Sequence, residues 1–290
     1  MSPQSLPPVP PPFTMPFYYS NLCNCAVYYL VDPSQVESYL KGTGLSVALF
    51  NGKAVVTYNF QLYSGQFSAG IDLPPDQWPP QCASITQELE LSIVSYPTAL
   101  ESHLNDVDYE QFMLGGEQTK LLGNQRVHVP CDSDIAIAAG EKLFGEPKFK
   151  TSFGVNIASL NPVRAPGADY TPAWMQKWGF RVNDPSNAKE AIFTCVVDVT
   201  GLVGVPGSIS PITEYGRFDR KLIGCRWELL GPMTTYFLTE AQANRVQLAY
   251  GTSKHVMKSD MKNLIGDAPA SAVQTFVSAP AAIQSRAYYP

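Results

Sequence analysis

Apolar positions recur at every second residue over much of this chain, and the alternation is broken at short intervals by glycine, proline, asparagine and aspartate. That period puts successive side chains on opposite faces of a strand. It predicts strands within residues 84–96, 133–140, 149–160, 190–201 and 218–238, most of them rich in Val, Ile, Phe, Tyr and Thr. Asn51-Gly52, between two apolar runs, predicts a tight hairpin whose second strand is long. Ahead of it, "VDPSQVESYLKGTG" predicts a short helix, with Asp32 as cap, Pro33 in the first turn, Gln35 at capping-box spacing and Gly42 at the end. Helical segments are predicted at residues 239–250, 259–266 and 266–276. There is no strand–helix alternation, no G-x-G-x-x-G and no phosphate-binding loop, which disfavours a doubly wound nucleotide fold.

No polar linker and no repeat divides the pattern. The expectation is one mainly antiparallel β domain with a few helices (α+β), residues 17–290, preceded by a proline-rich tail at residues 1–16. A curled sheet of this length closes into a barrel or packs as two layers, with room for an internal cavity.

Composition narrows the function. The chain has 290 residues, 45% hydrophobic and 16% charged, with a formal net charge of −5 and no basic run. That excludes nucleic-acid and anionic-membrane partners as expectations. Six cysteines and three isolated histidines show no metal-ligand spacing, so no metal is expected and the thiols read as free in a reducing compartment. The N-terminal stretch lacks the basic and apolar regions of a secretory signal, and no run reaches the length of a membrane span, so a soluble, cytoplasmic protein is expected.

Candidate chemistry enters at "DIAIAAGEKLFGEPKFK". Ala136, Ile137, Ala138, Gly140, Pro147 and Lys148 match an A-I-A-x-G…P-K segment, and in this the chain resembles the acetoacetate decarboxylase family. "VYYLVDPSQVESYL", "LLGPMTTYFL" and "TSKHVMKSDM" follow in the family's order, so the resemblance covers most of residues 20–290, with an extra segment near residues 97–126. The resemblance implies a twisted β-barrel or cone with an internal site, a homo-oligomer, no organic cofactor, and Lys148 as a Schiff-base lysine. Such a lysine attacks a ketone as the free amine, and the protonated imine then accepts the electrons of a departing carboxylate. An ordinary lysine, with a pKa of about 10.4, is mostly protonated at pH 7. Burial or a nearby cation is therefore expected to lower it; a lysine activated in this way is a known property of the family and not a derivation from this chain.

Two departures from the family pattern bear on the reaction. Phe149 stands where acetoacetate decarboxylase has a second lysine. Lys150, two residues on and roughly 6–7 Å along an extended strand, is then the nearest cation in sequence, with Phe149 as an apolar wall. The family's early arginine has no counterpart, since the first arginine here is Arg126. In "TQELELSIV", Glu88 matches a family carboxylate and Glu90 shares its face, a pair suited to moving protons onto and off an enamine. The family's other glutamate falls near Asn59 or Gln61, amides that hydrogen-bond a substrate oxygen but do no acid–base work. The function implied is a lyase acting through an imine on a keto acid or 1,3-dicarbonyl compound, most simply by β-keto acid decarboxylation. Aldolase-dehydratase or cyclase chemistry through the same imine, and a non-catalytic small-molecule-binding barrel, are the alternatives. Arg164 is a further candidate for the missing positive charge.

Overall fold

The strand periods resolve into two sheets. A computed structural model describes residues 6–67, 85–157, 176–207, 212–229, 233–278 and 282–290. Its first strands are β1 (Phe17–Val31), β2 (Leu45–Val47), β3 (Leu49–Phe50), β4 (Lys53–Phe67), β5 (Ile85–Pro97) and β6 (Gly123–Cys131). There follow β7 (Lys148–Lys150), β8 (Phe153–Asn156), β9 (Lys177–Asp184), β10 (Asn187–Asp198), β11 (Val205–Gly207) and β12 (Ile212–Phe218). The last are β13 (Lys221–Leu229), β14 (Met233–Phe237), β15 (Val246–Tyr250), β16 (Ala270–Ser278) and β17 (Ala282–Gln284).

The larger sheet runs β11-β14-β16-β1-β17-β13-β12-β6-β5-β4-β3, with β2 on β5 and β7 on β6. β1 also pairs with β4 along its whole length, from Phe17↔Phe67 to Val31↔Ala54. Pairing is antiparallel except between β6 and β12 and between β6 and β7. The smaller sheet runs β15-β10-β9-β8. The architecture is therefore mainly antiparallel β with a few helices. No helix among the described residues is long and apolar enough to cross a membrane.

The two long central strands decide where the core sits. On β4 and β5 the residues Tyr58, Phe60, Leu89, Leu91 and Ile93 are fully buried. They share one cluster with Trp178, Phe180, Val182 and Phe193 of the smaller sheet. The Phe60 and Phe180 rings stack at 5.2 Å and 8°. The alternate residues Gln61, Glu88 and Glu90 are at most a few percent exposed and Asn59 is half-buried, so their face turns into the protein and not to solvent. Alternation in these strands separates two interiors, one dry and one polar.

Local signals behaved unevenly. Asn51 and Gly52 take the positive φ of a hairpin turn, and Leu49↔Ala54 and Phe50↔Lys53 pair across it. Asp32 and Gln35 form the predicted capping box, over a 3-10 turn followed by α1 (Glu37–Leu40). The segment near residues 97–126 holds a 3-10 helix (Thr98–His103) and α2 (Tyr109–Met113). Residues 133–140, predicted as a strand, instead form α3 (Asp134–Ala139), continued by a π-helical turn (Gly140–Phe144). Alanines at 136, 138 and 139 favour the helix, and Gly145, at φ 61°, ends it in the left-handed region. Residues 239–250, predicted as a helix, give only a 3-10 turn before β15, because V-Q-L-A-Y alternates and pairs with β10. Residues 266–276, also predicted helical, mostly enter β16, where pairing with β1 and β14 overrides the alanines. The third predicted helix is α4 (Val256–Ile265).

Residues 6–16 lie along the larger sheet. Arg286 donates to the Pro7 carbonyl at 2.6 Å, and Phe13 is buried edge-on to Phe17. Gly231-Pro232 and Arg164 fall outside the described residues.

Candidate active site

Lys148 is the first residue of β7, which pairs in parallel with β6 at Val129↔Lys148. Pro147 keeps Glu146 out of helical conformation and brings the chain from the π-helical turn into that strand. Lys148 Nζ lies 2.6 Å from Glu88 Oε2, 2.9 Å from Glu146 Oε2 and 3.3 Å from the Ala136 carbonyl. Only 5% of its side chain is exposed. The motif glycine has a steric reason to be there. A Cβ on Gly140 would stand 2.6 Å from Lys148 Cε and would also collide with the Glu146 carboxylate. Gly140 makes the space in which the lysine stem lies.

A second cation completes the cluster. Arg126, on β6, is fully buried and donates to Glu146 at 2.7 Å, to Glu214 of β12 at 2.9 Å and to the Tyr215 carbonyl at 3.2 Å. Glu146 therefore bridges Arg126 and Lys148. Tyr63 of β4 donates to Glu88 at 3.1 Å, on the oxygen that the lysine also uses. Glu90 stands beside this network with one carboxyl oxygen buried and unpartnered among the described residues. Buried ion pairs of this kind are costly to assemble and are weak devices for stability, which points to chemistry.

The electrostatics depart from the sequence expectation for Lys148. Burial alone would push its amine down, but the Glu146 and Glu88 carboxylates outweigh burial and hold it well above the ordinary lysine range. The resting side chain is an ammonium ion held between the two carboxylates. Burial pushes Glu90 up strongly, helped by neighbouring Glu214 and opposed by Arg126. Burial likewise pushes Glu214 up to about 7, with Arg126 restraining the shift. Glu146 goes the other way: burial resists its charge, but Arg126 and Lys148 overcome that and hold it ionised.

Glu88, Glu90, Asn59 and Gln61 converge on this interior, in the register Gln61↔Glu88 and Asn59↔Glu90. Lys150 and Phe149 do not. Lys150 turns outward to Asp134 at 2.8 Å and the Asp132 carbonyl at 2.7 Å, with half its side chain exposed. A solvated, locally neutralised charge exerts little influence on Lys148. Phe149 points to the opposite face of β7, where its ring packs 4.4 Å from His255, so it is no wall for the lysine. Arg126, Glu146, Glu214 and Tyr63 were not picked out from sequence. Glu146 immediately precedes Pro147-Lys148, a signal that was available. Arg126 and Glu214 are single charges within strand-like runs, and nothing local says that their face is the interior.

A cavity opens from the cluster, reached at Glu214 and lined further by Asn24, Asn59, Gln61 and Trp227. It shares Tyr28, Met233 and Gln274 with a neighbouring space.

No family model matches the sequence, and no characterised protein matches it by sequence similarity. Solved structures similar to it include the enduracididine biosynthesis enzyme MppR, complexed with the condensation product of pyruvate and imidazole 4-carboxaldehyde. That likeness has a TM-score of 0.61 and 13% identity, over 93% of this chain and 87% of the other. An acetoacetate decarboxylase-like enzyme from Sphingomonas wittichii RW1 matches at TM-score 0.55 and 12% identity, over 94% and 92% of the two chains. Acetoacetate decarboxylase from Legionella pneumophila matches at TM-score 0.57 and 11% identity, over 95% and 86%. At such identities the likeness concerns the fold.

Proposed function

Starting from a chain with the acetoacetate decarboxylase-like fold, we propose that it is a lyase working through an imine at Lys148 on a small carbonyl compound. The observation that carries this reading is the buried Lys148 ammonium held 2.6 Å from Glu88. Glu88 takes a proton from Nζ, and the freed amine adds to the substrate carbonyl. The carbinolamine loses its oxygen as water, with the proton returned by a carboxyl of the cluster. The protonated imine then withdraws electrons from the adjacent carbon, so a bond to that carbon's neighbour breaks and leaves an enamine. Glu88 moves the proton onto or off the enamine carbon, and water releases the product and restores Lys148.

Two fates of the imine follow. β-Keto acid decarboxylation is the simplest, and the likeness to acetoacetate decarboxylases favours it. Aldol-type cleavage or dehydration is favoured by the cluster itself, where Glu90 and Glu214 supply proton donors and Arg126 is already engaged by two carboxylates. The barrel reading belongs with this proposal. What supports it is the ladder of β1 with β4, which returns the path β1-β17-β13-β12-β6-β5-β4 to its start, and a cavity lined from β1, β4, β6, β12, β13, β14 and β16. A homo-oligomer in the cytoplasm remains part of the proposal.

Carbonyl oxygen exchange tests the imine without knowledge of the final reaction. Wild-type protein incubated with a ketone in ¹⁸O-water is expected to speed incorporation of label into the carbonyl, and Lys148→Arg to abolish that catalysis. Equal exchange in the two proteins would contradict the mechanism and favour a binding protein.

A further inference from the structure

The cavity that Glu214 joins to the Lys148 cluster is built from amides. Gln61 lies opposite Glu88 in the β4–β5 ladder and is 3% exposed, and no described residue accepts from or donates to its amide. One residue pair further on, Asn24 donates to Asn59, which leaves the Asn24 oxygen and the Asn59 amide nitrogen for another partner. Both asparagines line the cavity with Gln61. Apolar walls come from Trp227, Phe276 and Met233.

Its charges are equally specific. Among the described residues lining this space, Glu214 is the one ionisable carboxyl or amine. In the adjoining space Lys120 stands beside Glu117, whose carbonyl it reaches. Lys148 sits between Glu88 and Glu146, and Arg126 between Glu146 and Glu214. A substrate carboxylate entering here would meet Glu214 and leave water without gaining a cation of its own. Burying an anion on those terms is strongly unfavourable. An uncharged oxygen-bearing substrate pairs instead with donors and acceptors that are otherwise unspent, and such unpaired polar groups are what make a site selective.

We infer that the substrate is an uncharged carbonyl compound bearing at least one further oxygen, a 1,3-diketone or hydroxyketone with an apolar flank, and that the Gln61, Asn59 and Asn24 amides select it over keto acids. This rests on the imine reading for its chemistry, although the selectivity is a property of the cavity. For a β-hydroxyketone the imine breaks a carbon–carbon bond by retro-aldol cleavage or expels the hydroxyl as water. For a 1,3-diketone, water adds to the second carbonyl, the bond from that carbon to the central carbon breaks to leave the enamine and a carboxylic acid, and the enamine carbon then takes a proton. No carbon dioxide leaves, because the substrate carries no carboxylate.

Acetylacetone and acetoacetate differ in an acetyl group against a carboxylate at nearly equal size, and acetylacetone is neutral at pH 7. The test measures the concentration of each that gives half-maximal borohydride-trapped adduct by intact mass. A second readout is the shift in melting temperature that each ligand causes without borohydride. Acetylacetone is expected to half-saturate at a concentration at least about tenfold lower than acetoacetate, and Gln61→Ala to shrink that ratio. Half-saturation by acetoacetate at an equal or lower concentration would overturn the inference. If neither compound is trapped by folded protein, the imine reading fails, and the melting shifts still decide the selectivity. A shift with acetylacetone alone supports it; a shift with acetoacetate alone, with both equally, or with neither overturns it.

Discussion

The two faces of β4 and β5 both turn away from water and do opposite things. On one, Tyr58, Phe60, Leu89, Leu91 and Ile93 meet the smaller sheet in a dry, close-packed core. On the other, Asn59, Gln61, Glu88 and Glu90 meet charges and a cavity. The dry face supplies stability through burial of apolar surface. The polar face draws on that stability to hold ionisable groups out of water. Burial alone therefore says little about role; what each buried group is paired with says much more.

Substitutions on the two faces separate these roles. The largest effect is expected at Lys148. Lys148→Ala is expected to remove adduct formation completely and to leave Glu88 without its cation and Glu146 with Arg126 alone, a loss of about 3–5 kcal/mol where a buried pair is broken. Lys148→Arg keeps a charge in place and is expected to lose the adduct while remaining folded, as read by intact mass and thermal melting. Phe60→Ala, on the dry face, is expected to cost about 3–5 kcal/mol in chemical denaturation and leave adduct formation in the folded fraction unchanged. Loss of adduct in proportion to folded protein would erase the distinction between the faces.

A pH dependence is expected from the polar face. Glu214 holds its proton up to about pH 7 in the folded protein, against 4.5 for a free carboxyl. Between those values the folded state binds more protons than the unfolded state, so this group makes stability fall as pH rises through the window. The change is on the order of 2–4 kcal/mol. Glu214→Gln is expected to flatten that slope in denaturation curves taken from pH 4.5 to 7.5; an unchanged slope would remove Glu214 from the account. Gly140→Ala is expected to slow adduct formation through the collision with Lys148 more than it lowers the melting temperature. The smallest effect belongs to Lys150. Lys150→Ala is expected to change stability by under about 1 kcal/mol and leave adduct formation alone, because its ion pair is exposed.

Much of this was legible in the sequence where local physics decides. The Asn51-Gly52 turn, the Asp32–Gln35 cap and the existence of the long strands β4 and β5 follow from turn chemistry and period-two alternation. Ala136 to Gly140 was misread as a strand because a short apolar run has no period of its own, and its alanines were the better guide. At the site, Lys148, Glu88 and Glu90 were visible through motif and alternation. Arg126 and Glu214 were not, since their role depends on β6 and β12 meeting from distant parts of the chain. Lys150 was misjudged because spacing along a strand gives a face and not a partner, and Asp134 on α3 provides the partner. The raised Lys148 amine had the same origin: its two carboxylates come from β5 and from the turn before Pro147, and only the fold brings both within reach.

The most direct measurement is the intact mass of the protein after borohydride treatment with acetylacetone, followed by peptide mapping. The account predicts a single mass gain located on Lys148 and absent from Lys148→Arg. A label on any other lysine, or no label on a folded wild-type protein across a panel of ketones, would contradict it.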